Sequence, residues 1–321
     1  MKFLAAMIAV WSLLLAQAGS AQTGFPERNI RMLYGFPPGS DVAARMFTDK
    51  LAASLGKPII FENIVGASGN IAAERAAKAT PDGHTLWIGS HGSIVINATL
   101  YDKLPYDPLK DFIPITRLFT YANLLVVNND VPAGSVQELI GLAKAQPGAL
   151  THGNSGLGTS THLAAELMKS MAGIDVQQVT YRGPSALIPD LLSGRITMCI
   201  CSIGTMTPLI RQGKVRALAV TSPERSPFMP DLPTMAESGF PDFDSRVWFG
   251  LFAPAGTPGP IVDKLHRHTM NVLALSDVRE RYADLGLLPV GETPAEFAAA
   301  IHAEIPIWAK VIKASGIKIG D

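Results

Sequence analysis

ITRLFTYANLLVVN, residues Ile115–Asn128, closes a long extended run that starts at Phe112 and holds almost no helical period. It outruns the usual strand of about 5–6 residues, which suits a strand that leaves one sheet and enters another. A crossover is therefore expected near Asn123. Before it, short β-rich runs alternate with helical patterns: strand Ile30–Tyr34, helix Asp41–Leu55, strand Ile59–Glu62, helix Asn70–Lys78, strand Thr85–Gly89. That alternation is the mark of an α/β fold, with parallel strands and loops gathered at their carboxyl ends. After it a second set follows: helix Ser135–Gln146, strand end Thr151–Gly158, helix Ser160–Met171, strand Val176–Tyr181, helix Pro184–Leu192, strands Thr197–Ser202 and Val215–Thr221. Residues Ser222–Asp244 are rich in Pro, Gly and acidic side chains, and Arg246–Phe252 then reads as extended again, so a return crossing is placed near Ser245. Helices Pro260–Leu275, Asp277–Leu285 and Pro294–Ser315 would pack back on the first lobe. The expected organisation is a discontinuous first lobe, 22–123 with 245–321, and a continuous second lobe, 124–244.

The N-terminus precedes all of this. Met1-Lys2, an apolar run from Phe3 to Leu15 and the small residues Ala18-Gly19-Ser20-Ala21 read as a secretory signal peptide cut after Ala21. Its apolar core is shorter than the ~20 residues that span a bilayer; the alternative is an uncleaved anchor, and either way the body is exported to the periplasm. At 321 residues and 47% hydrophobic composition, two lobes with separate cores and a cleft between them are expected. Acidic and basic residues balance at 27 each, which argues against nucleic acid or an anionic membrane surface as partner. The two cysteines, Cys199 and Cys201, lie two apart in an apolar strand, where they share a face; closing so tight a loop would strain a bridge, so two buried free thiols are expected.

Two loops place glycine and small polar residues between a strand and a helix start. In Phe36-Pro37-Pro38-Gly39-Ser40-Asp41, Gly39 allows close backbone approach, Ser40 or Asp41 can cap the next helix, and the positive end of the helix dipole favours a carboxylate. A capped helix without a ligand is the equal alternative, and Asp41 would repel a carboxylate unless it caps its helix or meets an ammonium group. In His152–His162, Asn154, Ser155, Gly156, Thr159, Ser160 and Thr161 set hydroxyls beside exposed amides, a way to hold a carboxylate without a full opposing charge. Tyr181-Arg182-Gly183 follows a strand, and Arg182 could hold a carboxylate through two parallel bonds. Ser90-His91-Gly92 is a further strand-end loop that could line the cleft, although His91 there is more often solvated.

Catalytic patterns are weaker. Gly153-Asn154-Ser155-Gly156 approaches a nucleophilic-serine elbow, but position 157 is leucine, so a periplasmic serine hydrolase acting through Ser155 is the lesser alternative. No HExxH pairing, Walker loop or GxGxxG turn occurs, and neither metal nor cofactor is expected.

Seven ordered blocks carry a likeness to a known family: Gly35–Phe47, Glu62–Ser90, Leu104–Thr116, His152–Leu167, Val179–Met198, Pro233–Phe243 and Trp248–Pro258. Across nearly the whole mature chain the sequence resembles the extracytoplasmic solute receptors of tripartite tricarboxylate transporters, the Bug family. The resemblance implies a two-lobed, periplasmic-binding-protein-like fold of the type II, Venus-flytrap kind, with a small carboxylate held between lobes largely by backbone amides, hydroxyls and water from the first and second loops. It implies a non-enzymatic receptor serving the membrane subunits of such a transporter, or alternatively reporting ligand to a signalling partner; a monomer is expected. Family members take different carboxylates, so the ligand stays open. Two departures stand out: Gly39, Ser40 and Asp41 shorten a first loop that usually carries two glycines and a Ser/Thr pair before Asp, and Asn63-Ile64-Val65-Gly66 replaces the usual Asn-Arg-Pro-Gly turn. Arg182 stands where lysine is common.

Overall fold

The computed structural model describes residues 24–317, so the expected leader, residues 1–21, lies outside the described residues. Strands β1 (Ile30–Tyr34), β2 (Ile59–Asn63) and β3 (Thr85–Ser90) pair in parallel, with helix α1 (Val42–Leu55) joining β1 to β2 and α2 (Asn70–Ala77) joining β2 to β3. Helix α1 forms because Ala43, Ala44, Phe47 and Leu51 recur on one face and bury there, and it stops at Gly56, whose left-handed φ of 70° returns its N–H to Ala52.

A helical segment follows β3 where the sequence suggests only a loop. Residues Gly92–Ile96 form a π turn that runs into α3 (Asn97–Leu100). Strand β4 (Phe112–Tyr121) ends in the first sheet and β5 (Asn123–Asn128) begins in the second, so the chain changes sheets at Ala122.

The second lobe continues with α4 (Val136–Ala145), β6 (Thr151–Asn154), α5 (Ser160–Ala172), β7 (Gln177–Thr180), α6 (Pro184–Leu192), β8 (Met198–Ser202), α7 (Ile203–Arg211) and β9 (Val215–Val220). The chain re-enters the first sheet as β10 (Val247–Pro254) and finishes with α8 (Gly259–Leu273), α9 (Ser276–Asp284), β11 (Leu288–Pro289) and α10 (Pro294–Ser315). The sheets read β11-β4-β10-β3-β1-β2 and β7-β6-β8-β5-β9.

Both sheets are mixed rather than all parallel. Strand β10 runs antiparallel to β3 and β4, and β5 antiparallel to β8 and β9. Each arrives from the other lobe and so enters at the ends where the parallel strands finish, which forces the opposite direction. Each sheet is buried on both faces, by two apolar clusters per lobe. One first-lobe cluster also takes in Leu163 of α5 beside Trp308 and Ile312 of α10, so the lobes share apolar packing.

The expectation of free thiols is corrected: Cys199 and Cys201 are paired as a disulfide, with Cα atoms 5.8 Å apart, inside the range a bridge accepts. The pleat of β8 draws same-face residues closer than a fully extended chain would. Among the described residues, no helix is long and apolar enough to cross a membrane.

Candidate functional site

A cavity of about 290 Å³ opens where the carboxyl ends of both parallel strand sets face each other. Such a volume sits at the small end of ligand pockets. The second lobe supplies Ser155, Thr159, Ser160 and Thr161 from the loop after β6 and the start of α5, with Ser202 at the end of β8 and Thr205 in the first turn of α7. The first lobe supplies Phe36 and the Ser90-His91 end of β3, and the crossing strands supply Tyr121, Asn123, Val247 and Phe249. Among the described residues, no Lys, Arg, Asp or Glu lines the cavity.

The second loop is built by its own hydroxyls. The Thr161 hydroxyl accepts the Ser155 N–H at 3.2 Å and lies 2.9 Å from Ser155 Oγ and 3.0 Å from Thr159 Oγ1. Thr159 Oγ1 donates to the Gly156 carbonyl at 2.7 Å and caps α5 by accepting the His162 N–H. Asn154 and Gly156 shape this loop without lining the cavity: Asn154 Oδ1 accepts the Gly156 N–H at 3.1 Å, and Gly156 has φ 148°. The first-turn amides of α5, at Ser160 and Thr161, have no acceptor within the helix and sit at its positive end. This corner can receive an anion.

The two nearby histidines are spent on structure. His152 Nε2 accepts the Ile200 N–H at 2.9 Å, which puts its proton on Nδ1 facing Gln178 Oε1 at 2.9 Å; burial pushes its pKa down to about 4. His162 Nδ1 accepts the Gly158 N–H at 3.0 Å, and burial lowers its pKa despite Glu166. The Ser155 hydroxyl thus faces Thr161, and neither imidazole is positioned to take its proton.

The first loop contributes less than expected. Phe36 reaches the cavity, whereas Pro38, Gly39 and Ser40 are exposed outside it, and the Ser40 hydroxyl donates to Pro37 O at 2.7 Å. Asp41 precedes α1 but makes no side-chain cap; its carboxylate accepts from Gly39 N–H, Arg45 and Asn63. Burial would raise its pKa, but those hydrogen bonds outweigh it and hold the group below the ordinary value. The third candidate also turns away, since the Tyr181 hydroxyl donates to Asp190 at 2.8 Å, Arg182 lies outside the cavity, and it is Pro184, not Gly183, that reaches it.

His91 is buried rather than solvated, at 2% exposure. Its ring stands edge-on between Trp248 and Trp308, with Nε2 3.4 Å from Glu304. Burial alone would raise the Glu304 carboxyl, but His91, the Trp248 indole N–H at 2.9 Å and Arg117 hold it below its ordinary value. The residues that sequence reasoning missed are chiefly Tyr121, Asn123, Val247 and Phe249, all on the crossing strands. Burial pushes the Tyr121 phenol up to about 12. A polar Asn123 at the junction of two apolar runs was the available signal.

Residues 43–317 match the family described as the tripartite tricarboxylate transporter family receptor. The chain belongs to this family. The receptor is 35% identical to Protein BugT of Bordetella pertussis over 98% of both chains. It superposes on the R. palustris protein Rpa4515 with adipate at TM-score 0.79 and 35% identity, covering 92% of this chain and 99% of that one. MatC from Rhodopseudomonas palustris, with bound malate, matches at TM-score 0.75 and 35% identity, covering 90% and 100%. The fold is that of a two-lobed periplasmic binding protein, and the receptor is a solute-binding protein rather than an enzyme.

Proposed function

We propose that the receptor is exported, loses its leader after Ala21, and acts as a monomer that closes lobes 22–123 with 245–321 and 124–244 around a small carboxylate. It then delivers that ligand to the membrane subunits of a tripartite tricarboxylate-type transporter. The observation that carries this reading is the neutral corner made by Ser155, Thr159, Ser160 and Thr161 at the start of α5, where amides and hydroxyls converge without a cation among the described residues. Relatives of the same fold hold adipate and malate, which supports a carboxylate as cargo. Ser90 and His91 face this corner from the first lobe, and Phe36 and Phe249 wall the space between.

The test is a melting-temperature screen of the mature protein against mono-, di- and tricarboxylates, followed by calorimetry on Ser155→Val and Thr159→Val. A ligand that favours the folded state raises the melting temperature, by mass action. Loss of affinity in both variants is expected; unchanged affinity would remove the second loop from the site. Light scattering on the same sample checks the monomer.

A further inference from the structure

The carboxamide of Asn123 is the most unusual polar group of the cavity. Asn123 lines it, is 1% exposed, and neither Oδ1 nor Nδ2 has a hydrogen-bond partner among the described residues. Its backbone, by contrast, is fully engaged: the N–H donates to Thr221 Oγ1 at 2.9 Å and the carbonyl accepts the Thr221 N–H at 3.0 Å. A buried amide with both ends unmatched costs free energy that a leucine would not, so its presence calls for a partner outside the chain.

The surroundings define that partner. Asn123 begins β5, opposite Ser202 in the register, the residue that precedes α7 and whose hydroxyl lies 2.7 Å from Thr205 Oγ1. The Ile203 N–H in the first turn of α7 is already taken by the Ala122 carbonyl at 3.3 Å, and among the described residues no lysine or arginine lines the cavity to offset the desolvation of a second charge. The imidazole that lines it, His91, faces Glu304 through Nε2, and its Nδ1 has no hydrogen-bond partner among the described residues. Val247 and Phe249 provide apolar walls beside the amide. A carboxamide offers a donor and an acceptor side by side, the complement of a hydroxyl or another amide.

Building on the carboxylate reading above, we propose that Asn123 reads an uncharged hydrogen-bonding group at the far end of the ligand, so that the cargo is a monocarboxylate with an apolar body and a hydroxyl or amide tail. A ligand entering between parted lobes meets this amide before closure buries it.

Calorimetry on matched acids tests this. One series is hexanoate, 6-hydroxyhexanoate, adipamate and adipate; the other is benzoate, 4-hydroxybenzoate, 4-carbamoylbenzoate and terephthalate. The wild type is expected to bind a hydroxyl- or amide-tailed acid roughly 10-fold tighter than both the untailed acid and the di-acid of its series. Asn123→Leu is expected to abolish that preference while changing the untailed acid less than about twofold, a split that a merely structural role would not give. Asn123→Thr keeps one polar atom and should retain part of the preference; if neither variant melts cooperatively, the wild-type ranking decides alone. Tightest binding of the di-acid in both series, or equal losses for tailed and untailed acids, overturns the inference and leaves the carboxylate reading standing. Failure of every acid to bind the wild type sinks both.

Discussion

The burial of His152 makes the second lobe sensitive to mild acid. In the fold its Nε2 is occupied as an acceptor for Ile200 N–H, so protonation requires that hydrogen bond to break inside a dry core. Its pKa falls from the ordinary 6.5 to about 4. Because the folded value lies below the unfolded one, the unfolded chain takes up the proton first as pH drops. The contribution to stability is therefore complete above about pH 6.5 and is lost as pH falls toward the folded value. At 1.36 kcal/mol per unit, the loss reaches about 3 kcal/mol by pH 4. His152→Gln removes the titration. Urea unfolding of both proteins at pH 7 and pH 4 should show the wild type's advantage shrinking by about 3 kcal/mol between the two conditions. The ring carbon resonance of His152 should titrate near 4. A wild-type advantage that is the same at both pH values, or a ring that titrates near 6.5, would refute the reasoning.

Thr159→Val removes the cap of α5 and should cost about 1 kcal/mol in urea unfolding; no change would mean the cap contributes nothing. In Gly35→Ala the new methyl would lie 2.6 Å from Gly69 Cα, backbone against backbone, and a loss of about 1–3 kcal/mol is expected in thermal melts. An unaltered melt would show that the first loop can move aside. The Glu304 carboxyl is held below its ordinary 4.5, so its contribution is complete above that value and is lost as pH falls through the lowered one. Tryptophan fluorescence should accordingly report a steeper acid transition for wild type than for Glu304→Gln, and matching transitions would contradict this. Thiol titration of the unreduced protein in denaturant should find no reactive cysteine, whereas two would contradict the Cys199–Cys201 bridge.

What could be read from the sequence was whatever local pattern decides. The extended run through Asn123 exposed the change of sheet because no single strand needs that length, and Thr159 announced the start of α5 because capping is local chemistry. The turn at Gly92–Ile96 was hidden because its supports come from elsewhere: Tyr106 donates its hydroxyl to Ser93 O from thirteen residues away. Helix α7 was hidden by Gly204 and Pro208, and is held by the burial of Ile203 and Met206. The same limit applies to the site. The first and second loops look alike in sequence, but Arg45 and Asn63 engage Asp41 in the first, while no charged side chain among the described residues lines the α5 corner of the second. Arg182 resembles a carboxylate clamp until the sheet order places β7 at the edge. Asn123 carried no motif, and its isolation is visible only in three dimensions.

The exchange of strands between lobes also dictates an order of assembly. The second lobe is a single stretch of chain, so its five strands can pair as soon as β9 has been made. The first cannot: β3 and β4 are separated in the finished sheet by β10, which follows them by more than a hundred residues of chain. Until that strand arrives, both present unpaired edges to solvent, the condition in which sheets find wrong partners. As the chain folds, the first sheet must stay open until β10 arrives, and a chain cut short before Val247 leaves the first lobe without the strand that closes it.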